Sequence, residues 1–284
     1  MKYTALIFAA ALSGLAQAQG VADPSYLGVE LGSDEDGGSN TYVDLDLTLP
    51  ANARLRLSTA ESRTAGKSSD ITTRSYLVGV ASDPLALFSA GVEFEHWGDE
   101  GDLVSDTWRL DLGLNGERWA FHVRPQRRTH TLYTDPAVPC AVCPARIEVE
   151  SRGVAVDAAY FSEGPWSANA GYAKHDYDDK LSGITTHPRL ANLLFTPTTL
   201  NLANGFQDYQ VSLGVSYAES WGVAAYDWVK SVSKLDGAVT YVNTASFSRS
   251  LAEQWRLRLS AGWQVAEDSN DSLAFGGLGL TYSW

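Results

Sequence analysis

The stretch Leu273–Trp284, LAFGGLGLTYSW, alternates with a period of two up to its last residue. Leu278, Leu280, Tyr282 and Trp284 fall on one face, and Gly277, Gly279, Thr281 and Ser283 fall on the other. A strand of this kind needs an apolar medium outside it and room for small polar groups inside it. Chain ends ordinarily fray into solvent, so a bulky aromatic at the last position calls for surroundings that hold it.

The same grammar runs through the chain. Val43, Leu45, Leu47 and Leu49 alternate with Tyr42, Asp44, Asp46 and Thr48, and Leu55 and Leu57 alternate with Arg54 and Arg56. Trp108, Leu110, Leu112 and Leu114 alternate with Arg109, Asp111 and Gly113, and Asn115-Gly116 then reads as a two-residue hairpin turn. The longest clean face is Trp255, Leu257, Leu259, Ala261, Trp263 and Val265. The segment 147–160 switches face near Gly153, which reads as a β-bulge, and the parity of 221–230 is ambiguous. Strand starts are expected near 25, 41, 53, 71, 86, 104, 117, 147, 166, 207, 221, 237, 254 and 273. That is about fourteen strands, within bounds of about twelve and sixteen, and an even count suits a membrane barrel. Brief breaks at 50–52, 82–85, 115–117, 162–165, 218–220 and 249–253 trade off with longer ones at 32–40, 62–70, 98–103, 131–146, 178–206 and 266–272. The expected fold class is all-β, an antiparallel transmembrane β-barrel.

Lys2, the apolar run from Thr4 to Leu15 and Ala16-Gln17-Ala18 compose a secretory signal peptide, with cleavage expected after Ala18. The domain reading is therefore a signal at 1–18 and a barrel at 19–284. The apolar run is too short to span a bilayer as a helix. A mean hydropathy of -0.16 suits a barrel whose lipid-facing and lumen-facing residues cancel. Twenty-one basic against 34 acidic residues give a net charge of -13, which excludes the basic footprint of nucleic-acid binding.

Tryptophans supply an independent signal. Trp119, Trp166, Trp221 and Trp255 each follow a short turn within a few residues, and Trp284 ends a strand returning to the same rim. Together they are expected to form an interfacial girdle, with Trp108, Trp263 and Tyr241 as an opposite belt. The ending Leu278-x-Leu280-x-Tyr282-x-Trp284 resembles the C-terminal signal of Gram-negative outer-membrane β-barrel proteins. The resemblance covers the general plan of the barrel, porin-like in outline, and identifies no subfamily. It implies an outer-membrane location with both termini periplasmic, short periplasmic turns and longer extracellular loops. It also implies recognition by the barrel-assembly machinery, and the other expected partners are the bilayer, lipopolysaccharide and small solutes.

The inward parity carries the candidate chemistry. Asp44, Asp46, Arg54, Arg56, Glu93, Glu95, Arg109, Asp111, Arg124, Arg256 and Arg258 are expected to face the lumen, with His122 among them. Charges facing lipid would cost about 2–4 kcal/mol each at mid-depth. The set suits either a pore that selects small solutes by charge or cross-strand ion pairs that brace the wall. Segment 179–205 carries Leu190, Leu193, Leu194 and Phe195 and reads as a constriction or a packed cap. Cys140 and Cys143 are expected to close a disulfide in a surface loop, since Pro144 stands where haem attachment needs His. The acidic clusters Asp34-Glu35-Asp36, Asp99-Glu100, Asp178-Asp179 and Glu267-Asp268 read as a solvated rim or as oxygen ligands for divalent cations. No pattern calls for a cofactor or a resident metal. A hydrolase would draw on His96, His130 or His175 beside Asp176, Ser105 and Ser151 at the outer rim, and a structural barrel with a blocked lumen is the third reading.

Overall fold

The computed structural model describes residues 25–64, 71–84, 86–99, 103–133, 146–178, 206–267 and 272–284. The expected signal peptide, the Cys140–Cys143 disulfide and segment 179–205 lie outside the described residues. Fourteen strands close into one antiparallel barrel. They are β1 (Tyr26–Asp34), β2 (Ser39–Thr48), β3 (Arg54–Thr64), β4 (Ile71–Ala81), β5 (Phe88–Gly98), β6 (Leu103–Asn115) and β7 (Trp119–Tyr133). The second half comprises β8 (Arg146–Phe161), β9 (Trp166–Tyr177), β10 (Gln207–Glu219), β11 (Gly222–Ser233), β12 (Val239–Ser250), β13 (Trp255–Ala266) and β14 (Ser272–Ser283). Each strand pairs with its chain neighbours, and β1 pairs with β14 from Tyr26↔Ser283 to Asp34↔Phe275. Closure leaves no unpaired edge, which is what allows strands to sit in lipid with every backbone group satisfied.

Register turns alternation into two surfaces. The outward face carries Leu27, Val29, Leu57, Val78, Val80, Val92, Leu110, Leu112, Leu213, Leu259, Leu278 and Leu280 among its exposed apolar side chains. A continuous apolar belt of this kind is far beyond what a water-facing monomer tolerates, and its medium is a lipid bilayer. Trp119, Trp166 and Trp255 are exposed at the short-turn ends of β7, β9 and β13, and Trp221, just before β11, and Trp284, just after β14, are exposed at the same rim. Their rings connect laterally: Trp166 lies 4.8 Å from Tyr217, Tyr217 6.1 Å from Trp221, Trp221 5.7 Å from Phe247, and Trp255 4.8 Å from Tyr282. One polar group on this face is capped locally, where the Tyr226 hydroxyl donates to Asn243 Oδ1 at 2.7 Å.

Three local expectations change. Strand β8 pairs with β7 and β9 in unbroken register from Tyr133↔Arg146 and Ser151↔Tyr177 onward, so there is no bulge at Gly153. What changes there is the medium. Val154, Val156 and Tyr160 point outward below Gly153, whereas Arg146, Glu148, Glu150 and Arg152 point outward above it, where the strand has left the apolar belt. A register shift occurs instead in β10, between Gln207 and Tyr209. The hairpin turn expected at Asn115-Gly116 lies further along the chain: Gly116 N–H donates to Trp119 O at 2.8 Å, and Glu117 and Arg118 are the residues between them. Asn115 stays in the strand because its amide donates to Pro84 O, Ala86 O and Ser89 Oγ at 3.0–3.2 Å. Finally, several of the longer breaks contract to 35–38, 65–70, 99–102 and 267–271, so the loop asymmetry rests on 134–145 and 178–206. The ambiguous segment resolves with Val223, Ala225, Asp227 and Val229 inward and Tyr226, Trp228 and Lys230 outward.

Candidate functional site

The interior is divided by chemistry into two arcs. Strands β2 to β8 carry most of the inward charges. Arg54 Nε donates to Asp46 Oδ1 at 2.6 Å and its Nη1 to Thr48 Oγ1 at 3.2 Å. Further along the same two strands, Arg56 donates to Asp44 and to the Tyr42 hydroxyl, both at 3.2 Å, while the Tyr26 hydroxyl donates to Asp44 at 2.8 Å. Arg109 is the hub of the next group. It pairs with Glu95, lies 3.9 Å from Glu93, and donates to Gln126 Oε1 at 3.4 Å. Glu95 also accepts from the Ser75 hydroxyl at 3.0 Å. Arg124 pairs with Asp157, and His122 Nδ1 sits 2.9 Å from Asp111. Every one of these contacts bridges adjacent strands, which is the geometry of bracing.

The complementary arc, β10 to β14 and β1, is lined by small groups: Ser212, Gly214, Ser216, Ser246, Ser260 and Gly277. Arg258, Gly279 and Glu30 share a rung there, as do Arg256, Thr281 and Gly28. Arg256 is exposed and makes no ion pair among the described residues. The lumen is therefore braced on one side and smooth on the other, with the charge of Arg256 left to act on whatever occupies the space.

Toward the long-loop rim the inner face turns apolar, which alternation along single strands does not reveal. Trp97, Leu103, Leu132, Val149 and Phe206 pack into one buried cluster with Ile147, Tyr177 and Leu235 against it. Trp97 and Val149 are 2% and 0% exposed. Val229, Val242, Leu273 and Phe275 make a second cluster on the other arc. The signal was present as inversion of the pattern. Above Gly153 in β8 the apolar residues move to the inward parity, as Trp97 and Leu132 do in β5 and β7. Buried polar residues accompany the first cluster: Ser105, Thr107, Arg128, His130, Ser151 and His175.

The residues weighed for hydrolysis separate. His130 and His175 face inward, whereas His96 faces outward with its Nδ1 2.7 Å from Asp106. Asp176 points outward, away from His175. Ser105 is paired across the ladder with His130, yet among the described residues neither Ser105 Oγ nor either ring nitrogen of His130 has a hydrogen-bond partner. No nucleophile–base contact is formed there. Among the described residues no three metal-ligating side chains converge. Asp34 instead closes its own turn, accepting from Asp36 N–H at 3.0 Å and Gly38 N–H at 2.8 Å.

No protein-family profile matches the chain, and no curated protein sequence matches it. Among solved structures, the CymD monoaromatic hydrocarbon channel aligns over 92% of this chain and 89% of its own, with a TM-score of 0.53 at 10% identity. A loop L8 deletion mutant of OmpT, an outer membrane protein of Vibrio cholerae, aligns over 92% and 97% with a TM-score of 0.48 at 13% identity. The KdgM porin aligns over 91% and 99% with a TM-score of 0.45 at 6% identity. At these identities, what the chain shares with CymD is the fold: a closed β-barrel.

Proposed function

We propose that the chain is a porin-like channel of the Gram-negative outer membrane, passing or binding small solutes through its lumen. The observation that carries this reading is the split of the barrel into an apolar outer belt and an interior of ion pairs on one arc and Gly, Ser and Thr on the other. A barrel meant only as a scaffold has no use for a smooth polar wall facing a braced one. The wall of small residues leaves space, and the ion pairs fix its shape. In this reading Asp44, Asp46, Arg54, Arg56, Glu93, Glu95, Arg109, Asp111 and Arg124 hold the wall as mutually neutralised sets, and selectivity falls mainly to Arg256. The apolar clusters near the long-loop rim narrow the path and favour entry of small, weakly hydrated solutes.

The likeness in fold to a hydrocarbon channel is in keeping with this assignment. The five tryptophans at the short-turn rim serve as the inner interfacial girdle, and both termini are periplasmic. The Leu278, Leu280, Tyr282, Trp284 face is the handle for the assembly machinery, with lipopolysaccharide around the outer leaflet. Single-channel recording in planar bilayers tests the function. Stepwise, ohmic conductance in KCl is the expected result. Silence in every salt from barrels that migrate as folded species overturns the channel reading.

A further inference from the structure

The outward face of β7 to β11 changes character where the strands leave the apolar belt. On β7 the outward position after Pro125 is Arg127, and on β8 Val154 gives way to Arg152. On β9 Tyr172 gives way to Lys174, and on β11 Trp228 to Lys230. Four cations along one border stand out in a chain with 21 basic and 34 acidic residues. At the opposite rim the exposed charges flanking the belt are Glu117, Glu219, Glu253 and Arg249. The two borders of the belt therefore differ in sign, and the cationic one lies at the long-loop rim.

Three of these four cations hold no carboxylate. Arg127 is engaged by Glu150, with both carboxylate oxygens at 2.8 Å. Arg152, Lys174 and Lys230 form no ion pair among the described residues, although Asp176 stands opposite Arg152 across β8 and β9. Arg152 and Lys174 are exposed. Arg127 and Arg152 face each other directly across β7 and β8, an arrangement that costs stability in a sheet. An anion from the surrounding medium offsets that cost.

The spacing and the surface between the cations specify the anion. Arg152 is a diagonal neighbour of Lys174, about 7–8 Å away, so the two long side chains can close on one phosphate. Two strand spacings of about 4.8 Å and an offset of two residues put Lys230 roughly 12 Å from Lys174, far enough to serve a second phosphate. Between the lysines lies Tyr209, the cross-strand partner of Lys174. Its ring is 6.4 Å from that of Tyr172. Lys230 Nζ sits 5.7 Å from the Tyr241 ring centroid, and Trp228 is 6.1 Å from Tyr241. Glu267 accepts from the Tyr241 hydroxyl at 3.4 Å. Aromatic rings with polar tips suit the boundary between acyl chains and headgroups.

We propose that this outward face docks a membrane lipid with a phosphorylated sugar headgroup. One phosphate lies between Arg152 and Lys174, a second at Lys230, and the sugar over Tyr209. The inference rests on the outer-membrane reading for the leaflet that the long-loop rim meets, and it does not require conduction. Calorimetric titration of the full refolded barrel in detergent micelles with diphosphoryl lipid A tests it. Phosphatidylglycerol serves as the probe with the charge but no sugar, and phosphatidylethanolamine as the probe with no net charge. Saturable lipid A binding is expected, at least tenfold tighter than either control. The double variant Lys174→Gln/Lys230→Gln should weaken it at least fivefold while the barrel keeps its folded mobility. Arg249→Gln, which removes an exposed cation at the opposite rim, should change it less than twofold. Phosphatidylglycerol binding as tightly as lipid A overturns the sugar-phosphate assignment. Unchanged lipid A affinity in the double variant, or an equal loss in Arg249→Gln, removes the site from this face. Conductance recorded in parallel separates the two readings. Conductance without the lipid A preference sinks the docking surface alone, and the preference without conductance sinks the channel alone.

Discussion

Strand β13 allows a depth-resolved test of the membrane belt. Its outward face reads Trp255, Leu257, Leu259, Ala261, Trp263 and Val265. At about 3.4 Å per residue, Trp255 to Trp263 covers roughly 27 Å of strand. A tilt of ~40° reduces this to roughly 20 Å along the bilayer normal, close to the ~25 Å apolar band of known barrels. Leu259 is the midpoint and is 47% exposed, so Leu259→Arg puts a guanidinium near the bilayer centre. The expected loss is about 2–4 kcal/mol, which is roughly 30- to 700-fold in the folding equilibrium. Val265→Arg, beyond the upper tryptophan, should cost only about 0–1 kcal/mol. Equilibrium urea titration in unilamellar vesicles, followed by tryptophan emission, measures both. If Leu259→Arg is neutral, or Val265→Arg is the costlier change, the belt has been drawn at the wrong height and the facing of β13 is wrong with it.

Other outcomes follow from the interior. Arg256→Glu should shift the zero-current potential in a tenfold KCl gradient toward cation preference, and an unchanged potential removes Arg256 from the conduction path. Glu95→Gln should cost about 1–3 kcal/mol by leaving the Arg109 guanidinium with Glu93 at 3.9 Å as its remaining acidic neighbour. In vesicle titrations the double variant Glu95→Gln/Arg109→Gln should lose clearly less than the sum of the single changes, and strict additivity would show that the pair is not coupled. Gly262→Ala should cost about 1–3 kcal/mol, since its Cβ would lie 2.2 Å from the Asn243 carbonyl oxygen and 2.5 Å from the Phe275 ring. Gly28→Ala, with nothing nearer than 3.6 Å, should be close to neutral in the same titration.

How far the barrel was legible depends on what a period of two encodes. Strand starts fall within about two residues of expectation, and the facing of residues such as Asp44, Arg56, Glu95 and Arg109 follows from parity alone. Parity does not say who stands opposite. That Arg56 reaches both Asp44 and Tyr42, or that Gln126 ties Arg109 to the neighbourhood of His175 at 3.1 Å, depends on register between strands far apart in the chain. Nor does parity report depth. In β8 the change from Val154 outward to Arg152 outward imitates a bulge because the strand crosses from lipid to water without breaking its ladder. The apolar patch around Trp97 and Val149 was missed for the same reason. A strand that outruns the membrane reverses the meaning of inside and outside, and a window on one strand cannot locate that boundary.

The seam between β1 and β14 carries one more implication. Trp284 N–H donates to Ser25 O at 3.0 Å, so the two ends of the described ladder already meet. Geometrically the seam is a hairpin without a turn, and no strand in the ring has a privileged ordinal. A few residues linking position 284 to 25, with a cut at 116–118, would produce a circular permutant with the same neighbours throughout. Such a chain would bury Leu278, Leu280, Tyr282 and Trp284 in its middle. It should reach the same shape in detergent and, on the proposed role of that face, fail to be delivered in a cell. In this molecule the order of the strands then belongs to transport of the protein itself, and the closed ring to its architecture.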